Sequence, residues 1–271
     1  MRARQVRLSR GLSVTAVLMA LALGVSGCGT DKMSTGSIGR SSSQPVETMS
    51  SGQIHAAAVA IGQTYARNPN DKRIAIKYAT VLQMDGDADQ SLAVMRKLAI
   101  AYPKDRDVLA AYGKSLAANG QLAPALDAVR RAQTPEYPDW RLVSAEGAIL
   151  DQMNQKDDAR QLYRKALELK PNEPSVLSNL GMSYLLEGDL RTAETYLRSA
   201  AAQPGADSRV RQNLALAVGL QGRFDEAEKI AAQELPPDQA QANVAYLRSM
   251  LSQQNAWNQL KKGDKKAAST N

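Results

Sequence analysis

One 34-residue period governs this chain. Between Pro174 and Asp207, Leu177, Leu180, Gly181 and Tyr184 set out one apolar face at helical spacing. Glu187-Gly188-Asp189 interrupts it, and Ala193, Leu197 and Ala200 start a second face. Stepping back by the period gives Val143, Gly147 and Leu150, then Ala159, Tyr163, Ala166 and Pro171. Two earlier copies carry Leu109, Tyr112, Gly113 and Ala125, and Tyr78, Ala79, Leu82 and Met95. A later copy carries Leu214, Ala215, Val218, Phe224 and Ala227. Five copies keep register over 72–105, 106–139, 140–173, 174–207 and 208–241 without insertion. A helix pair of this length cannot bury its apolar face alone, so the copies must stack. The turn gives an independent check. Gly86, Gly120, Gly188 and Gly222 share one repeat position with Asn154, the two residue types that best tolerate a left-handed helix end.

The large–small pair Leu180-Gly181, Tyr184 three residues on, Ala193 and Ala200 on the second helix, and the closing Pro171 resemble the tetratricopeptide repeat. That family's tryptophan in the first helix is replaced by Ala75, Leu109, Val143, Leu177 and Arg211. The resemblance implies an all-α solenoid (residues 53–260) of about five helix–turn–helix repeats, closed by a partial capping helix at each end. Ile54 to Arg67 fills the second-helix slot of an incomplete first repeat, with Ala57, Ile61 and Pro69 in phase. Residues 242–260 are expected to form the last capping helix, with Tyr246, Leu247, Met250, Leu251, Trp257 and Leu260 on its apolar side. Residues 261–271 are expected to be a disordered basic tail.

The first 27 residues read as a targeting segment. Arg2, Arg4, Arg7 and Arg10 precede an apolar run from Leu12 to Val25, shorter than the roughly 20 residues a spanning helix needs. The run ends Val25-Ser26-Gly27-Cys28, which resembles a bacterial lipobox. That resemblance implies lipidation of Cys28, the only cysteine, and Gly29 after it implies sorting to the outer membrane. The alternative is an ordinary cleaved secretory signal that leaves a free thiol. Residues 28–52 are Ser-, Thr- and Gly-rich, a composition that does not order itself and spans roughly 25 Å as a coil.

Chemistry-bearing motifs are scarce. His55 is the only histidine, has no acid or nucleophile near it in sequence, and reads as part of the first cap. Asp85, Asp87 and Asp89 alternate as in a calcium loop, but Gln90 and Arg96 stand where that loop requires glycine and glutamate. No phosphate loop, HExxH or GxSxG occurs, so neither an enzyme nor a cofactor or metal site is expected. Of the formal net charge of +7, four charges lie on leader arginines. The remaining three come from Lys261, Lys262, Lys265 and Lys266 against Asp264. The array is therefore neutral, which argues against nucleic acid. Trp140 follows two prolines and reads either as a plug between repeats or as a partner contact.

In tetratricopeptide arrays the first helix of each repeat lines a groove for a partner protein. Here the candidates are Arg73, Ile76, Thr80, Asp107, Lys114, Arg141, Ser144, Asp151, Ser178, Met182, Leu185, Arg209, Gln212 and Leu216. Met182, Leu185 and Leu216 suggest an apolar section, with Arg73, Arg141 and Arg209 as polar anchors. Lipobox, tether and repeats together resemble the TadD-type lipoprotein of the tight-adherence (Flp) pilus, notably over Tyr112–Ala132 and Val210–Leu251. The resemblance implies an outer-membrane-anchored, pilotin-like adaptor whose array lies in the periplasm and whose partner is a secretin or another pilus component. A type IV pilus or barrel-assembly lipoprotein, or a periplasmic cell-wall adaptor, shares the same features.

Overall fold

The computed structural model describes the backbone of residues 50–134, 136 and 138–268, with side chains to residue 253. Cys28, the leader and most of the tether fall outside these residues, as do the side chains of Trp257 and Leu260. Among the described residues there are twelve helices. The first, α1 (Ser51–Arg67), is followed by five pairs. These are α2 (Lys72–Met84) with α3 (Ala88–Ala101), α4 (Arg106–Ala118) with α5 (Leu122–Ala132), and α6 (Trp140–Gln152) with α7 (Lys156–Leu169). Then come α8 (Pro174–Glu187) with α9 (Leu190–Ala201), α10 (Ser208–Leu220) with α11 (Phe224–Ala231), and finally α12 (Pro237–Ala268). First helices start at 72, 106, 140, 174 and 208, and second helices at 88, 122, 156, 190 and 224, so the period is 34 residues throughout.

The turns obey the expected chemistry. Gly86, Gly120, Asn154, Gly188 and Gly222 all have φ between +62° and +94°. Asp71, Asp105, Asp139 and Asp207, again one repeat position, accept backbone N–H groups at the starts of their helices at 2.9–3.1 Å. This capping series fixes where each first helix begins. In the remaining repeat Glu173 makes no such bond, and Pro174 takes the first helical position instead.

Within the first four repeats a small residue faces a large one. Gly113, Gly147 and Gly181 lie so close to the second helix that an added Cβ would stand 2.6–2.9 Å from Val129, Tyr163 and Leu197. The same Cβ would stand 3.1–3.2 Å from the carbonyl oxygens of Ala125, Ala159 and Ala193. Those three alanines are fully buried, as are Met95, Val129 and Leu197 at the large position. Each such side chain contributes about 1.5–3 kcal/mol by leaving water. In the last repeat the large position holds Ala231, and Leu235 and Ala240 pack beside Ala215 and Ala231 instead. The neighbouring Gly219 lies against Leu247 of α12, so the final helix supplies the bulk this repeat lacks.

Three features differ from the sequence expectations. The first cap begins at Ser51, because Ser50, in the stretch read as tether, forms a reciprocal capping box with Gln53. The last helix starts at Pro237, buries Ala240, Val244 and Leu247, and leaves Tyr246 about half exposed. Its helical backbone continues to Ala268 through residues expected to be disordered, a segment rich in the good helix formers Lys and Ala. His55 also gains a partner from across the fold: its Nδ1 lies 2.8 Å from Asp85 Oδ2, which ties the first cap to the turn of repeat one.

The close approach at the glycines is directly testable. Gly181→Val places methyl groups against Leu197 and the Ala193 carbonyl and is expected to cost about 1–3 kcal/mol in denaturant unfolding. Met182→Val, half-buried on the same helix and without that contact, serves as the comparison. Equal losses in the two variants would show that helix approach is not what the glycine secures.

Candidate functional site

First helices touch one another from repeat to repeat as well as their own second helices, so they form a continuous inner layer. A cleft of about 370 Å³ opens on this layer. Its walls are Lys114 of α4, Trp140, Arg141, Ser144 and Ala145 of α6, Ser175, Ser178 and Asn179 of α8, and Arg209, Val210 and Asn213 of α10. All come from first helices, at the face the repeat period assigns to a partner.

The cleft is cross-linked along its floor. Asn179 Nδ2 donates to Ser144 Oγ at 3.2 Å, and Asn213 Nδ2 donates to Ser178 Oγ at 3.1 Å. Each bond spans 35 residues, from one repeat to the next. They bury the two serines and fix the amides at the cleft wall. The Arg141 guanidinium sits 4.6 Å from the Trp140 ring centre. Trp140 itself packs on the core around Tyr163 and Leu180, so it both joins neighbouring repeats and borders the cleft.

Of the expected groove residues, the structure brings Lys114, Arg141, Ser144, Ser178 and Arg209 together. Arg73, Thr80 and Gln212 are exposed but lie outside the cleft, and Met182 and Leu216 are half-buried and also absent from its lining. Ile76 packs against the core of the first repeats, and Asp107 is engaged by Lys72 Nζ at 3.4 Å.

Two expectations need correction. Leu185 is 1% exposed and belongs to the core, so the apolar section of groove loses one of its three members. Asp151, at the same repeat position, turns toward the next repeat. Its carboxylate accepts from Tyr163 Oη and Ser183 Oγ, both at 2.9 Å. The buried Arg160 completes this joint, bonding the Ser183 hydroxyl and carbonyl, pairing with Glu187 at 2.6 Å and lying over the Tyr184 ring. This twelfth position of the repeat faces the inter-repeat seam, whereas the sixth, with Asn179 and Asn213, faces the cleft. Those amides are absent from the sequence expectation, although two asparagines at one repeat position of a first helix are the available signal.

Burial raises the Asp151 carboxyl above its ordinary value, against the pull of Ser183, Tyr163, Arg160 and Lys156. Burial and the adjacent Asp151 charge push the Tyr163 hydroxyl upward in turn. Among the described residues no group of three His, Cys, Asp or Glu side chains could hold a metal, and no helix is long and apolar enough to cross a membrane.

Residues 145–173 and 162–195 match family models described as tetratricopeptide repeat. The chain is similar to a tetratricopeptide repeat protein of Parabacteroides merdae, with TM-score 0.62 and 11% identity over 72% of this chain and 78% of that one. The fold is a tetratricopeptide-repeat solenoid. It is also similar to PilW, described as a widely conserved type IV pilus biogenesis factor, with TM-score 0.54 and 19% identity over 74% of this chain and 92% of that one. The cellulose synthase operon protein C of Pseudomonas fluorescens is 28% identical over an alignment of 176 residues that covers 60% of this chain but 14% of that protein. Tetratricopeptide repeats generally serve as protein-interaction scaffolds rather than enzymes.

The Asp151 joint predicts a pH dependence. With its folded pKa above the unfolded value near 3.8, the native state holds more protons than the unfolded chain between the two. Stability from this group therefore falls as pH rises through that window and is flat above it. Asp151→Asn removes the slope, which denaturant unfolding from about pH 4 to pH 7 would register. An unchanged slope would place the titration elsewhere.

Proposed function

We propose that this chain is a protein-binding scaffold, lipid-anchored through Cys28 to the bacterial outer membrane, that acts as an adaptor in assembly of a pilus of the tight-adherence type. The observation that carries the scaffold role is the cleft. Four consecutive first helices contribute polar side chains to one surface and hold them there by hydrogen bonds between repeats. Such a surface is pre-formed, so a partner segment pays little for ordering it.

The anchor rests on the basic leader, the apolar run and Val25-Ser26-Gly27-Cys28. A tether of about 20 residues between that cysteine and Ser51 lets the array stand roughly 25 Å off the lipid. The pilus role rests on the resemblance of lipobox, tether and repeats to the TadD type. The likeness to PilW is in keeping with it, since that protein is described as a type IV pilus biogenesis factor and its fold covers most of this chain. The partner in this reading is a secretin or another pilus component, met in the periplasm. No enzymatic step, cofactor or nucleic acid enters the role.

A photo-crosslinking residue at Ser175, on the cleft wall, tests this in the native host. The expected capture, identified by mass spectrometry, is a secretin or pilus subunit, and Cys28→Ala is expected to abolish it by releasing the array from the membrane. Capture of barrel-assembly subunits or cell-wall enzymes, with secretin multimers intact in a deletion strain, would overturn the pilus role.

A further inference from the structure

The cleft is chemically one-sided. Lys114, Arg141 and Arg209 line it, and no carboxylate does. The side chains of Arg141 and Arg209 are 69% and 76% exposed. The acids nearest them, Asp139 at 3.9 Å and Asp207 at 3.2 Å, lie outside the lining, and each also caps the helix that carries the arginine. Lys114 is exposed and has no ion-pair partner among the described residues. Three cations thus converge on one surface of an array that is neutral overall.

The amides narrow the ligand further. Asn179 and Asn213 each use one N–H on a serine of the preceding repeat, which leaves the second N–H and the Oδ1 of each for a ligand. A donor and an acceptor on one fixed group suit the alternating N–H and C=O of an extended backbone, and a bare anion has no use for the acceptor. The chain's own residues 1–49 do not complement such a surface. They carry Arg2, Arg4, Arg7, Arg10, Lys32 and Arg40 against only Asp31 and Glu47.

We infer that the cleft takes an extended acidic segment of a partner protein. Its side-chain carboxylates meet Lys114, Arg141 and Arg209, and its backbone pairs with Asn179 and Asn213. This deepens the scaffold reading and rests on it. Arginine forks recognise carboxylates bidentately, and the Trp140 face under Arg141 holds one fork in place.

The test uses the full chain in detergent and fluorescence anisotropy. The probes are a labelled peptide alternating Glu and Ala, amidated at its C-terminus, its Gln counterpart and a short single-stranded oligonucleotide. The Glu peptide is expected to bind, to weaken with salt, and to exceed the Gln peptide by about tenfold or more. Arg141→Glu and Arg209→Glu are each expected to weaken it by about tenfold, whereas Arg73→Glu, exposed but outside the cleft, leaves it unchanged. Equal binding of Glu and Gln peptides, no binding of either, indifference to both charge reversals, or equal competition by the oligonucleotide would overturn the inference. The two readings fail separately. Secretin crosslinks from Ser175 without acidic-peptide binding leave the adaptor and remove its charge code. Acidic-peptide binding without those crosslinks leaves the charge code and removes the pilus role.

Discussion

The close approach of the two helices within a repeat is the constraint on which this structure depends. A glycine on the first helix lets it press against the second until the carbonyl of a small alanine is within van der Waals reach, as with Gly147 and Ala159. The large side chain one turn further along, Tyr163 in that repeat, then fills the space over the glycine. Because the pair has a fixed separation, it presents fixed ridges to the next pair, and five copies stack without insertion. The last repeat, which lacks the large residue, has to compensate. With Ala215 facing Ala231, the gap is closed from outside the α10–α11 pair, by Leu235 and Ala240, while Leu247 seats against Gly219.

Between repeats the apolar core runs on, with Val108 in the cluster of repeat one and Val176 and Leu180 in that of repeat three, and polar links of individual specificity are added to it. Lys72 bonds Asp105, the N-cap of the next first helix, and holds that carboxyl below its ordinary range. Repeats three and four share the Asp151, Ser183 and Arg160 joint. Repeats four and five share a cluster in which Glu194 accepts from Gln221 and Arg223. Burial alone would raise the Glu194 pKa, but these donors and Arg198 hold it low. In the last repeat Arg211 and Glu234 form an ion pair at the two positions where repeat four packs Leu177 on Ala200. Such links are costly to break on one side only, since the remaining group is left half-buried and unpaired. They favour one stacking register over others that the small–large period alone would also allow.

The period, the left-handed turns and the small–large pairs were legible in the sequence because each is a local rule repeated five times. Gly86, Gly120, Asn154, Gly188 and Gly222 identify themselves by spacing and residue type. The features that were not legible depend on which way a side chain turns at the seam. Leu185 and Asp151 sit at helical spacing from true surface positions, and the direction of stacking alone sends them inward. His55 and Asp85 lie 30 residues apart and meet only because the first cap folds against the first turn. The cleft was half legible: its cations were found by register, whereas Asn179 and Asn213 read as ordinary polar surface until their bonds to Ser144 and Ser178 placed them.

These two kinds of contact together explain where recognition chemistry can reside. Packing dictates the small and large positions in nearly every repeat, and the seams consume the twelfth position wherever it is polar. The second position of the first helix carries little such duty and the sixth only part of it. Ala111 and Ala145 pack at the edge of the core, and Asn179 and Asn213 each bond the preceding repeat. The two positions run Arg73, Asp107, Arg141, Ser175, Arg209 and Lys77, Ala111, Ala145, Asn179, Asn213, with no type preserved through the array. Variation confined to positions of light packing duty is how a repeat scaffold acquires specificity without altering its frame. Here those positions bring cations and amides together over repeats three to five, beside a tryptophan that the frame itself holds still. The cations of the cleft can therefore change without altering the frame of the array, whereas its amides and Trp140 belong to both the site and the stacking.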